Sequence, residues 1–326
     1  MQPWIQDLRV TFRSLRKQPG YTLAAVIALA LGIGGVTTVA SVIDTVLLTP
    51  LPYPDPDRLI YLRQIIPDVG SRLPFPPYLY EELQESAKGV ESLAGFDRVF
   101  FNVGEGDEPV RVPGAQISSN FFQMLGVRPT LGRGFRPEDE SSSEQRVAVV
   151  SHRLWKTYFG GRVDIVGLEL KTDATTTYGP PRSIPETLVV VGVLPESFRE
   201  PWGDVDIWTP LVLDRERGYR FPFIMMMARL SDGQAIEQAS IELNASYQAI
   251  EYQDSLPKEN RTLYMVALPE MGVQNVREAL FLLWTASALV LLIACANVAH
   301  LLLARSTRRE GEMAMRAVMG AGRFRI

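Results

Sequence analysis

Cysteine and histidine are nearly missing from this chain, whose 326 residues hold one cysteine and two histidines. Cys295 lies inside a long apolar run, so the polar part of the chain has no disulfide framework. His152 and His300 with that single cysteine offer no metal-ligand spacing. No Gly-Lys pair occurs anywhere, which excludes a GxxxxGK[ST] phosphate loop; ATP, if used, is bound by another chain. No cofactor, no metal and no nucleic-acid partner is expected. Charge is missing from two further places. Thr22–Leu48 holds one charged residue in 27, Asp44 near its far end, and Leu280–Ala304 holds none in 25.

A helix needs about 20 mostly apolar residues to cross a bilayer core of roughly 30 Å, so each run is long enough to span. Isolated spans must satisfy their own backbone polar groups, which leaves helix as the only reading. A cleaved signal peptide is disfavoured for the first run, because its apolar stretch is about twice the usual length of such a peptide. The flanks set the orientation. The two tails outside the runs carry ten basic and three acidic residues, while residues 49–279 carry 23 basic and 33 acidic. Basic segments close to a span stay cytoplasmic, whereas long loops translocate largely regardless of charge. Both termini are therefore expected in the cytoplasm of a bacterial inner membrane, with 49–279 on the periplasmic side.

Residues 3–17 place Trp4, Ile5, Leu8, Phe12 and Leu15 at helical spacing, with Arg9, Arg13, Arg16 and Lys17 opposite. This is the pattern of an amphipathic helix lying on membrane lipid, and Pro19-Gly20 is expected to break it. In the first span Ala24, Ala28 and Gly32 recur every fourth residue, a spacing that lets helix backbones approach closely. Such residues are also ordinary in membrane helices, so the stripe has a bland reading as well. Asn297 and His300 in the second span are read as helix-packing groups rather than as a transport path.

The middle alternates short strand and helix patterns. Strands are predicted at 58–66, 98–103, 110–117, 146–150, 165–171, 187–194, 221–230 and 262–268, each bounded by Gly, Pro or Ser/Asp clusters. Helices are predicted at 78–88, 119–125, 152–159 and 233–253. The last places Ile236, Ala239, Leu243, Tyr247 and Ile250 on one stripe. The fold expected is an α+β membrane protein: two transmembrane helices flanking a large mixed α+β extracytoplasmic domain with an inserted β-rich subdomain. The boundaries are 1–20 for the amphipathic helix, 21–48 and 280–304 for the spans, 49–279 for the core domain and 305–326 for a cytoplasmic segment. Within the core, α+β halves at about 53–105 and 215–270 enclose an insertion at about 106–214. No catalytic site emerges. His152 reads as a surface or capping residue, and Asp55/Asp57, Glu81/Glu82 and Glu138/Asp139/Glu140 as turn and helix-start residues.

Several segments carry a resemblance to a known family. LRVTFRSLRKQPGYTLAAVIALALGIGG and VLLTPLPYPDPDRLIYLR resemble the start of permeases of the MacB/FtsX type, nearest the large acidobacterial-type orphan permeases. SSNFFQMLGVRPTLGRGFRPEDE, VAVVSHRLWKTYFGG and VVVGVLPESFREP resemble the MacB-type periplasmic core domain. LVLLIACANVAHLLLARSTRREGEMAMRAVMGAGRFRI resembles the second span and cytoplasmic segment of the FtsX-like permease domain. The resemblance implies a permease subunit of an ABC transporter working by mechanotransmission, as a homodimer or permease heterodimer on an ABC ATPase subunit. A periplasmic adaptor or outer-membrane duct is a further partner it implies.

The same resemblance marks Arg308, Arg309, Glu310, Arg316 and Gly320 as a coupling region for the ATPase, with Glu312 an alternative for the acidic position. A basic amphipathic helix there also serves topology alone. The family's permeases carry two more spans than this sequence, so the chain is expected to be C-terminally truncated. A second function class stays open: a membrane-anchored periplasmic binding or sensor module without transport activity. The sequence names no substrate.

Overall fold

The computed structural model describes residues 19–44, 51–67, 70–104, 109–141, 146–176, 183–213, 224–252, 260–271 and 274–318. The first element is helix α1, Pro19–Ile43. Pro19 and Gly20 are its first described residues; the break expected there, after the amphipathic helix at 3–17, bears on residues outside the described ones. The amphipathic helix expected at 3–17, and Gly320, lie outside the described residues.

Pro50–Gly272 form a separate compact unit. Its strands and helices follow in chain order: β1 Leu59–Ile66, β2 Gly70–Leu73, α2 Pro77–Ser86, β3 Val90–Val103, β4 Val110–Ile117, α3 Phe121–Met124 and β5 Leu131–Gly132. Next come β6 Arg146–Val150, α4 His152–Thr157, β7 Glu169–Thr176, β8 Ser183–Val193 and β9 Ile207–Pro210. β10 Met225–Leu230, α5 Ile236–Ala249, β11 Thr262–Ala267 and α6 Leu268–Met271 complete the unit.

The strands join one sheet in the order β11-β1-β10-β3-β4-β9-β6-β8-β5, with β2 on β1 and β7 between β3 and β8. Late strand β10 thus lies between early strands β1 and β3. One face of this end is covered by α2 and α5. Tyr78, Leu79 and Leu83 from α2 meet Ala239, Leu243 and Tyr247 from α5 over Ile60, Leu62 and Met226. The stripe expected on the late helix is the one buried, and the Tyr247 hydroxyl donates to Gln64 Oε1 at 2.9 Å.

At the other end the pairings close on themselves. β3 pairs β4, β4 pairs β9, β9 pairs β6, β6 pairs β8, β8 pairs β7, and β7 returns to β3. Strand side chains alternate between faces, so one residue in two points into this six-stranded ring. Val99, Phe101, Val103, Val112, Val150, Leu170, Leu188, Val190 and Ile207 form its buried core. Gly114 shares the inner face of β4 with Val112, and a Cβ there would stand 2.3 Å from the Phe101 ring. The missing side chain at 114 is what lets that ring fill the interior.

The sheet differs from the sequence expectation in several places; besides the unexpected short strands β2 and β5 and the earlier start of β8 at Ser183, three are instructive. β3 starts at Val90, not 98, because its small residues Ser92, Ala94 and Gly95 conceal a strand on which Tyr80 packs closely over Gly95. The strand expected at 165–171 runs 169–176, since Gly167 adopts φ +94° and ends the preceding turn. β9 was not expected at all, although all four of its residues are buried.

The last element is α7, Gln274–Val318, a single helix of 45 residues. At 1.5 Å per residue it is about 67 Å long, roughly twice a bilayer core. With α1 it forms the second compact unit.

Candidate functional site

Two helices, Ala25–Ile43 within α1 and Glu278–His300 within α7, are long and apolar enough to cross a membrane. They pack against each other, while Leu23, Leu31, Leu282, Leu292 and Leu303 stay exposed, as a lipid-facing surface requires. The contact is built on small residues. Gly32 and Ala294 are buried, and a Cβ on Gly32 would lie 3.2 Å from the Leu291 Cα. Ala28 is half-buried on α1, and Asn297 is exposed on α7. Ala24 belongs to α1, and Arg308, Arg309, Glu310 and Arg316 all fall within α7. Gly32→Val is expected to lower the unfolding midpoint of the detergent-solubilised chain by several degrees. Gly34→Val, which meets nothing within 4 Å, serves as the neutral comparison. Equal midpoints for the two variants would refute a Gly32-centred contact.

A second place that gathers chemistry lies on the Pro50–Gly272 unit. A cleft of about 510 Å³ opens between α4 and the segment 195–206. Ser151 caps α4, its hydroxyl accepting from Leu154 N at 2.9 Å and donating to Asp206 Oδ1 at 2.5 Å. Arg153 grips the same carboxylate, with Nη2 2.8 Å from Oδ2 and Nε 3.1 Å from Oδ1, and reaches Asp204 at 3.1 Å. His152 lines the cleft and sets its ring edge-on against Trp155, 5.3 Å away.

Phe198 lines the opposite side and meets Trp208 edge-on at 5.7 Å; outside the lining residues, Trp202 stacks on Phe96 with centroids 3.8 Å apart. The Tyr53 hydroxyl donates to the Arg199 carbonyl and pins the segment. Glu200 completes the cleft. Its Oε2 accepts from Trp208 Nε1 at 3.1 Å, while Oε1 is closed to solvent and has no partner among the described residues. Burial pushes this carboxyl up to about 8, against the opposing pull of the Trp208 N–H and of nearby Arg98. Burial, and secondarily the charge of Glu200, push the Tyr53 phenol up as well.

Among these residues the sequence reading singled out His152 alone. Arg153, Asp206, Glu200 and Trp208 come from segments about 50 residues apart, brought together because β6 and β9 pair side by side. The cluster FREPWGD, with acids and aromatics crowded between two strands, is the signal that was there to be read.

Two apolar helices bracketing a mixed α+β sheet domain define an integral membrane protein with a large domain outside the bilayer. The profile of the MacB-like periplasmic core domain matches residues 22–246, and the chain belongs to that family, part of the MacB/FtsX-type ABC transporter permeases. It is an inner-membrane protein and the permease component, not itself the ATPase; permeases of this type work with ABC ATPase partners. Two solved structures are similar. The periplasmic region of MacB from Actinobacillus actinomycetemcomitans is 12% identical, with 68% of this chain and 92% of that one covered at TM-score 0.46. The extracellular domain of the noncanonic ABC-type transporter YknZ from Gram-positive bacteria is 15% identical, with 63% and 99% covered at TM-score 0.43. No curated protein sequence matches the chain.

Proposed function

We propose that this chain is the permease subunit through which ATP hydrolysis by a partner chain moves a periplasmic domain, in export or mechanotransmission of a periplasmic substrate. Both termini lie in the cytoplasm and residues 49–279 in the periplasm; the basic residues flanking the two spans support this orientation. The observation that carries the reading is α7, which runs without interruption from Gln274 through the apolar span to Val318. One rod holds both the membrane segment and the positions of Arg308, Arg309, Glu310 and Arg316, so a push at its cytoplasmic end is passed on undiminished. Gly320, outside the described residues, is assigned to the same coupling region by the resemblance of its sequence segment. Ala24, Ala28 and Gly32 serve helix packing, and Asn297 is available to hydrogen-bond a second permease in the bilayer.

Co-expression with an ABC ATPase of the kind that partners MacB/FtsX-type permeases tests this. The ATPase is expected to copurify with the chain, and Arg308→Glu/Arg309→Glu together to reduce its recovery at least tenfold. An ATPase that fails to associate with the unaltered chain, or that associates equally with the charge-reversed one, would defeat the coupling role.

A further inference from the structure

Residues 195–206, between β8 and β9, are held by side chains rather than by backbone. Only the ends are tied through the main chain: Leu194 N donates to the Val150 carbonyl at 2.9 Å and Asp206 N to the Pro113 carbonyl at 2.8 Å. In between, no backbone–backbone hydrogen bond joins the segment to another element among the described residues; Phe198 N donates to Pro195 within it. One side of the segment lines the cleft, where Asp204 meets Arg153 of α4 in an exposed ion pair. The other side lies on the aromatic cluster. Phe198 stands 6.4 Å from the Tyr53 ring and 6.2 Å from Phe122, and the Tyr53 hydroxyl donates to the Arg199 carbonyl.

Tyr53 belongs to the stretch through which the chain enters the Pro50–Gly272 unit from α1. Its neighbours are gripped too: Pro54 accepts from Arg229 Nη2 at 3.1 Å, and its ring lies close over Gly126. Leu51 at this end of the unit and Met271 at the other pack, half-buried, on the cluster that holds Phe198 and Trp202. The segment itself is incompletely satisfied. Trp202 Nε1 and Glu200 Oε1 are both buried with no partner among the described residues, and both gain hydrogen bonds to water when it lifts. A stretch with few backbone ties and unmade buried bonds is the first to open locally.

We propose that residues 195–206 form a strap latched by the Tyr53 hydroxyl, which closes the cleft beside α4 until a displacement of residues 51–54 releases it. The strap rests on the coupling role only for the source of that displacement. Its latch is read on this chain without an ATPase, so the two fail separately.

The experiment is hydrogen–deuterium exchange of the full chain in neutral detergent, with and without Tyr53→Phe, which removes the hydroxyl and keeps the ring. Amides of 196–205 are expected to exchange about tenfold faster in the variant, with those of α5 unchanged. The Val205→Cys variant reports the cleft wall, because Val205 is 6% exposed and Cys295→Ala removes the competing thiol. Labelling of that thiol by a water-soluble maleimide is expected to quicken about tenfold with Tyr53→Phe as well. Unchanged exchange at 196–205, an equal acceleration in α5, or an unchanged thiol rate each overturns the proposal. If Tyr53→Phe fails to fold, Val205→Cys with Tyr53 retained decides at low denaturant. Exchange at 196–205 and thiol labelling through one shared opening, well below global unfolding, uphold the strap, and exposure only on global unfolding overturns it.

Discussion

Unfolding of the sheet domain is expected to become easier as pH rises from 4 to 8, with Asp97 the principal cause. Asp97 sits on β3 and shares the inner face of the ring with Val99, Phe101 and Val103. Beside it in the cross-strand row are Gln116 and, one strand further, Thr209. Asp97 is 2% exposed, and its Oδ1 and the Thr209 hydroxyl are buried without a partner among the described residues. Burial pushes the carboxyl from 3.8 up to about 7, opposed only by a backbone N–H at Arg98. The unfolded chain loses this proton near pH 4 and the folded one near 7. The native state thus binds more protons throughout that window, and stability falls as pH climbs through it. At 1.36 kcal/mol per unit, the shift is worth on the order of 4 kcal/mol. Glu200 adds a fall of the same sign between about 4.5 and 8.

Asp97→Asn keeps the shape and removes the charge. The midpoint of the unaltered protein should drop by roughly 10 °C more than that of the variant between pH 4.5 and 7.5. Circular dichroism melts at several pH values measure this. A constant difference between the two proteins across the range would show that Asp97 ionises freely in the fold.

The second large effect is expected at Trp208, which sits at the centre of strand β9 with 1% of its surface exposed. Its ring meets Phe122 edge-on at 5.9 Å and Phe198 at 5.7 Å, inside a cluster that also holds Phe96, Phe121 and Val149. Removing a buried tryptophan costs about 3–5 kcal/mol through lost transfer energy and the cavity left behind. Trp208→Ala also strips Glu200 of its only hydrogen-bond donor among the described residues, which adds about 1–3 kcal/mol. The domain is expected to lose most of its denaturant resistance. Trp208→Phe, which retains most of the volume, should lose about half as much. Val163→Ala, at a site 83% exposed, should stay within about 0.5 kcal/mol of the parent. A Trp208→Ala protein as stable as the Val163 control would mean that this aromatic cluster does not hold the domain together.

Much of the fold was legible locally. Strands 110–117 and 146–150 lie where Gly, Pro and Ser clusters bound apolar runs, and the α5 stripe followed from spacing alone. In each case burial of one face is written into a period of two or of 3.6 residues. β9 was missed because Ile207–Pro210 is four residues long, and a strand so short acquires its identity only from β4 and β6 on either side. The start of β3 was missed because Gly95 looks like a breaker. Only the Tyr80 ring lying over it explains a glycine inside a strand.

The sequence by itself determined the two apolar spans, the absence of a nucleotide loop and the family, because these depend on run length, residue pattern and motif order along the chain. The Asp97 row, the closed ring and the cleft around Glu200 were decided by tertiary structure alone. Each joins residues that lie far apart in sequence, through strand pairings that no local pattern encodes. The perturbed acidities of Asp97 and Glu200 arise from what the rest of the fold removes from around them, which is water.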